Sequence, residues 1–90
     1  MQHWKIEFEK NARDTLKKLD KPIRTQIEKY LDRLSEIDDP RQRGKGLTGS
    51  RAGQWRYRVG DYRLICEIHD DVLVVLVLEI GHRSNIYKQA

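Results

Sequence analysis

The chain has a single cysteine, Cys66, among 90 residues. One thiol cannot close an internal disulfide, so the fold has to be held by its core, and a thiol-tolerant, cytoplasmic setting is expected. The opening MQHWKIEFEK contains no apolar h-region, so no secretory signal is expected either. The longest apolar run, Val72–Leu78, is seven residues, far short of the roughly 20 that a spanning helix needs. Repeats, coiled-coil heptads and low-complexity tracts are absent. So are the phosphate-loop patterns G-x-x-x-x-G-K-S/T and G-x-G-x-x-G. His3, His69 and His82 are scattered and have one cysteine to join them, which gives no metal-ligand spacing, so no metal or other cofactor is expected. What remains is one small domain over residues 1–90, whose folding buries only about 60% of the unfolded surface.

Acidic residues are missing from one stretch. Pro40–Gly60 holds six basic residues and no acidic one. Residues 1–39 balance nine Lys/Arg against nine Asp/Glu, whereas residues 40–90 hold nine against five. The whole net charge of +4 therefore sits in the second half. Segregation of this kind favours a polyanionic partner over simple solubility.

In the first half, Trp4–Phe8 alternates Trp4, Ile6 and Phe8 against Lys5 and Glu7, the period of a strand. Ala12, Leu16 and Leu19 then follow helical spacing, with Asn11 as a candidate cap. Asp20 and Pro22 mark the start of a second helix. That helix carries Ile23, Ile27, Tyr30, Leu31, Leu34 and Ile37 on one side and mixed charge on the other, a solvated face, and Asp38-Asp39-Pro40 ends it. The two helices suit an antiparallel hairpin whose apolar faces cover a sheet. Pro40–Gly53, with Gly44, Gly46, Gly49 and Gly53 among Arg41, Arg43, Lys45 and Arg51, is a long basic loop. It is either a mobile surface segment or a phosphate cradle.

The second half predicts three strands. Gly60-Asp61 is a Gly-first two-residue turn of type II′. That turn sets Val59 opposite Tyr62, Arg58 opposite Arg63, Tyr57 opposite Leu64 and Trp55 opposite Cys66. Alternation places Trp55, Tyr57, Val59, Tyr62, Leu64, Cys66 and Ile68 on one face, and Arg56, Arg58 and Arg63 on the other. Two arginines directly across a ladder repel. The pair is easier to keep if an anion sits between them, which points to a phosphate backbone. A second tight turn at His69–Val72 pairs Ile68 with Leu73 and Arg63 with Leu78. The last strand, VLVVLVLEI, is apolar on both faces, as a central, doubly covered strand would be. On that register Arg83 shares a face with Glu79 and joins Arg63 only if Gly81 breaks the alternation. Ser84–Gln89 has room for one short helical turn.

GDYRLICEIHDD, the valine-rich strand after it and GHRSNIY resemble the C-terminal half of RelE-type toxins of type II toxin–antitoxin pairs, within the RelE/ParE superfamily. The order of strand, helix hairpin and three-strand meander extends the resemblance over nearly the whole chain. It implies an α+β fold with the helices on one sheet face, an RNA groove on the other and a short C-terminal helical turn. It also implies a metal-free endoribonuclease that cuts mRNA in the ribosomal A site, contacts ribosomal RNA and is neutralised by a cognate antitoxin. Operator DNA would be reached only through the antitoxin complex. By position, Arg63, Arg83 and Tyr87 fall on the catalytic places. Arg56 and Arg58 fall on the basic places of the second strand, and His82 stands where the prototype has a basic residue. The turn before Tyr62 and the segment from Arg83 to Tyr87 are both shorter than in the prototype.

The residue types suit that chemistry. Attack of a 2′-hydroxyl on the adjacent phosphate needs a proton acceptor, charge stabilisation at phosphorus and a leaving-group donor. Arg58 and Arg63 answer the second need, with Arg56, Lys45 and Arg51 as further phosphate contacts. Arg83 can stabilise the leaving oxygen but is a poor acid, its pKa lying above about 12. Tyr87 either accepts the proton or stacks on a base. His82, with an ordinary pKa near 6.5, is the alternative acid–base group or else a surface histidine. Glu67 and Glu79 are either bases or charge partners of arginines. Two other readings share the fold: a ParE-like inhibitor of DNA gyrase and a nucleic-acid-binding module without activity.

Overall fold

The computed structural model describes residues 3–84. Strand β1 (Lys5–Phe8) leads through α1 (Lys10–Lys18) and α2 (Lys21–Leu34) into β2 (Lys45–Gly46), β3 (Trp55–Val59), β4 (Tyr62–His69) and β5 (Val74–His82). The strands form one sheet in the order β1-β5-β4-β3-β2, with β1 parallel to β5 and the other pairs antiparallel. This is the expected α+β plan of strand, helix hairpin and meander. The C-terminal helical turn falls beyond residue 84, outside the described residues.

One sheet face meets the helices. Ala12 and Leu16 of α1 and Ile27, Leu31 and Leu34 of α2 pack on Tyr57, Val59, Leu64, Cys66, Val75, Val77 and Ile80. Each fully buried Leu, Ile or Val contributes about 1.5–3 kcal/mol relative to exposure. Trp4 closes the core at its edge. Its N–H donates to the Ser35 carbonyl at 2.8 Å, and its indole Nε1 donates to the Asp38 carbonyl at 3.1 Å. Burial pushes the Cys66 thiol well above its ordinary pKa, as befits a small core residue.

Several local expectations are corrected. Glu9, not Asn11, occupies the N-cap of α1, and Asn11 lies inside its first turn. Asp20 holds the N-cap place of α2, but its side chain makes no capping bond. Helix α2 stops at Leu34, so Ile37 reaches the core from the following turn. Strand β5 is central but not covered on both faces, because Leu76 and Leu78 remain half-buried.

The Pro40–Gly53 stretch is more ordered than a free loop. Lys45–Gly46 pairs with Trp55 and Arg56 as an edge strand between two single 3-10 turns. Two sheet aromatics hold its carbonyls. Trp55 Nε1 donates to Arg43 O at 2.6 Å, and the buried Tyr57 hydroxyl donates to Pro40 O at 2.9 Å. Gly44 permits this approach, since its φ is +74° and a Cβ there would collide with the Arg56 carbonyl.

The first hairpin has the register its turn dictates, from Val59 opposite Tyr62 to Trp55 opposite Cys66. Gly60 has φ +57° and Asp61 is not left-handed, as type II′ requires. The second turn is longer than expected. His69 pairs with Val74 and Ile68 with Val75, leaving Asp70–Leu73 as the loop. Leu73 adopts φ +54° there, and its carbonyl accepts from Lys5 N at 2.8 Å. A bulge follows, with Cys66 opposite Val77 but Ile65 opposite Glu79, so that Leu78 has no partner of its own.

Candidate nucleic-acid interface

The bulge decides which side chains share the open face. The loop moves the pairing by two residues, which preserves the faces, and the bulge moves it by one more, which exchanges them. Arg63 therefore lies opposite Gly81 instead of Leu78. Glu79 and Gly81 come to Arg63's side, and Arg83 is two residues further along the same alternation. The break that Arg83 needs exists, but it falls at Leu78 and not at Gly81.

Two rows of side chains result. One runs Lys45, Arg56, Ile65, Glu79 and the other Arg58, Arg63, Gly81. Ile65 is completely buried although it faces away from the helices. Lys45, Arg56 and Arg58 line an open cleft of about 370 Å³ beside Gly44, with no carboxylate in its wall.

Arg63 and Arg83 are both gathered at the β3–β4 turn. Arg63 Nη1 donates to the Gly60 carbonyl at 3.4 Å and to the Tyr62 carbonyl at 3.2 Å. Arg83 N–H donates to the Asp61 carbonyl at 2.8 Å, which extends the β4–β5 ladder by one step. Arg83 Nε stands 4.0 Å from Asp61 Oδ1 with both side chains exposed, a contact of little energetic weight. Among the described residues, no carboxylate pairs with Arg58 or Arg63.

Arg51 reaches the same face but is already engaged. Its Nη2 lies 2.8 Å from Glu79 Oε2, with the two side chains 26% and 36% exposed. Arg51 Nη1 and Gln54 Oε1 are buried without a hydrogen-bond partner among the described residues. Glu67, a candidate partner for an arginine, instead lies 3.1 Å from His69 Nε2.

His82 is not brought to the arginines. It pairs across the ladder with Tyr62, on the helix-side face, with the two rings edge-on at 5.5 Å. Ser84 N–H donates to its Nδ1 at 3.2 Å, which leaves the proton of the neutral ring on Nε2. Tyr87 lies outside the described residues. Asp61, which touches Arg83, was not singled out from sequence. The type II′ register itself was its signal, since it sets residue 61 one step beyond Tyr62. Among the described residues, no group of three His, Cys, Asp or Glu side chains is arranged to hold a metal ion, and no helix is long and apolar enough to cross a membrane.

A small sheet carries the helices on one face, and on the other, among the described residues, Arg58 and Arg63 have no carboxylate partner. The family model described as the ParE toxin of the type II toxin–antitoxin system parDE matches residues 6–87. The chain belongs to that family, and so to the RelE/ParE superfamily of type II toxins. It is 33% identical over 85 residues to toxin RelG of Mycobacterium tuberculosis, covering 93% of this chain and 95% of that one. It is 28% identical over 88 residues to the mRNA interferase toxin RelE of Escherichia coli, covering 94% and 90%. The toxin–antitoxin complex RelBE2 of Mycobacterium tuberculosis contains a chain that superposes with a TM-score of 0.81 at 32% identity, over 90% of this chain and 99% of that one.

Proposed function

We propose that this chain is the endoribonuclease toxin of its pair, cutting mRNA held in the ribosomal A site. The observation that carries the proposal is the Arg58–Arg63 pair, directly opposed across the hairpin with no carboxylate to neutralise it among the described residues. Like charges set opposite one another are destabilising, and a bound phosphate converts that repulsion into two charge-assisted contacts. The name of the Escherichia coli relative, an mRNA interferase toxin, supports the same reading.

In the reaction, the 2′-oxygen attacks the adjacent phosphorus, its proton leaves, and the bond from phosphorus to the 5′-oxygen breaks. The products are a 2′,3′-cyclic phosphate and a 5′-hydroxyl. Arg58 and Arg63 stabilise the charge that grows on the non-bridging oxygens. Arg83 holds the charge of the departing 5′-oxygen until water protonates it to the 5′-hydroxyl, and Tyr87 takes the 2′-proton, or stacks on a base while water takes that proton. His82, on the other face, orders the rim through Tyr62 and Ser84. Lys45 and Arg56 hold flanking phosphates, and Arg51 neutralises Glu79 beside them. The partners are translated mRNA with its ribosomal RNA surroundings and, in the cytoplasm, a cognate antitoxin that covers the arginines and alone contacts operator DNA.

The description of the matching family model, a ParE toxin, favours a second reading in which the chain poisons DNA gyrase without cutting RNA. Mapping of new RNA 5′ ends minutes after induction separates the two, with Arg63→Ala and Arg83→Ala as controls. Cuts inside translated frames that vanish in both variants support the nuclease. Growth arrest with DNA damage and no new ends rejects it in favour of gyrase.

A further inference from the structure

The C-terminal half of α2 separates its acidic from its basic side chains. Glu28 and Asp32 line a groove beside Ile6, Phe8, Leu16 and Leu31. Lys29 and Arg33 line a separate cleft of about 280 Å³ at the edge of β3, together with Gln26, Tyr30, Arg58, Val59 and Gly60. Each pair is spaced four residues apart, so each forms one stripe along the helix.

Arg58 belongs to both basic clefts, the one on the open face and the one against α2. Neither cleft has a carboxylate in its wall. Among the described residues, Lys29, Arg33 and Arg58 make no ion pair. The short β2 pairs only with Trp55 and Arg56, so the edge of β3 from Tyr57 to Val59 has no strand neighbour on that side. Arg58, which lines both clefts, thus connects the open face to α2 around this edge.

We propose that Lys29, Arg33 and Arg58, with the ring of Tyr30, form a second RNA-backbone site that continues the track of the catalytic face around the edge of β3. The inference rests on the nuclease reading above and extends it to nucleotides flanking the cut. Three cations, an amide and an aromatic ring without an acidic group are the components of a single-stranded nucleic-acid groove. Tyr30 is half-buried and braced against Tyr57, with ring centroids 5.9 Å apart, so a stacked base meets a fixed platform. Burial raises its hydroxyl pKa, and it stays a neutral donor at physiological pH.

The test is binding of a fluorescent 2′-O-methyl RNA 12-mer, which has no attacking hydroxyl, to the full chain between 50 and 300 mM salt. Losing two phosphate contacts in Lys29→Ala/Arg33→Ala makes the log–log salt slope shallower by about 1.4 and weakens binding on the order of ten-fold. Both residues are exposed, so the thermal midpoint stays at the wild-type value. A slope unchanged in this variant but reduced in Arg63→Ala overturns the proposal and leaves the nuclease reading intact. RNA binding unchanged while binding of a polyglutamate peptide is lost overturns it in favour of an acidic protein partner. If the wild type itself fails to bind the RNA, both readings fall together.

Discussion

Arg63 lies directly opposite Gly81, because a longer turn and a bulge together carry the pairing three residues past the position that simple alternation gives. Gly81 presents no side chain to the guanidinium, and Arg83 follows on the same side. Arg63→Ala is expected to lower RNA cleavage by about 10²–10³-fold, the usual cost of removing one donor to a developing oxyanion. Among the described residues it bonds to two local carbonyls, so stability should change by no more than about 0.5 kcal/mol. Single-turnover cleavage paired with a denaturation curve checks both statements; a large stability loss would show that the residue is structural.

The Arg51–Glu79 pair places a negative charge next to the proposed phosphate track and neutralises it. Arg51→Ala is expected to weaken RNA binding by exposing that charge, and Glu79→Gln to strengthen it. The double variant should return close to wild type. A half-exposed pair of this kind couples by up to about 1 kcal/mol. Equal binding of all four proteins would remove the pair from any role at the interface.

Tyr57 ties the core to the basic loop through its bond to the Pro40 carbonyl. Tyr57→Phe leaves that carbonyl without its donor and should cost about 1–3 kcal/mol in stability. Burial raises the Tyr57 pKa, so the folded state keeps it neutral. The stability this confers is complete below the unfolded tyrosine pKa of about 10 and is lost as pH rises above it. Chemical denaturation at pH 8 and at pH 11 should therefore show a steeper alkaline loss in the wild type than in Tyr57→Phe.

Asp70, in the β4–β5 loop, accepts two bonds from Arg41, at 3.0 and 2.8 Å. That hydrogen bonding to Arg41 holds its carboxyl below the ordinary range. Its contribution is present above the unfolded aspartate pKa of about 3.9 and disappears as pH falls through the lower folded value. Asp70→Asn is expected to flatten the acid limb of a thermal-stability profile between about pH 4 and pH 2. The effect should shrink in high salt because the pair is exposed. An acid limb unchanged by the substitution would show that the bridge is formed only loosely in solution.

Much of the site was legible before any coordinates. The Gly60-Asp61 turn and the alternation around it place Arg56, Arg58 and Arg63 on one face, because a two-residue turn leaves a hairpin no freedom of register. The deficit of acidic residues from Pro40 to Gly60 marked the same region. Lys29 and Arg33 were not legible, since adjacent opposite charges on a helix look like an ordinary solvated face until the neighbouring strand edge is known. Arg51 was recognised as basic, but its pairing with Glu79 depends on a loop that folds back on the sheet.

By itself the sequence determined β1, the two helices and the three meander strands, though not β2, as well as the first hairpin and which side of it is charged, because turn chemistry and side-chain period act over a few neighbouring residues. Only the tertiary structure decided the bulge at Leu78, the seating of the basic loop on Trp55 and Tyr57, and the sides on which Arg83 and His82 lie. The loop is seated by contacts with β3, and the bulge and the sides of Arg83 and His82 depend on how β5 is held between β1 and β4. One extra residue in its ladder exchanges the faces of every side chain that follows, and no local pattern in the last strand records that choice.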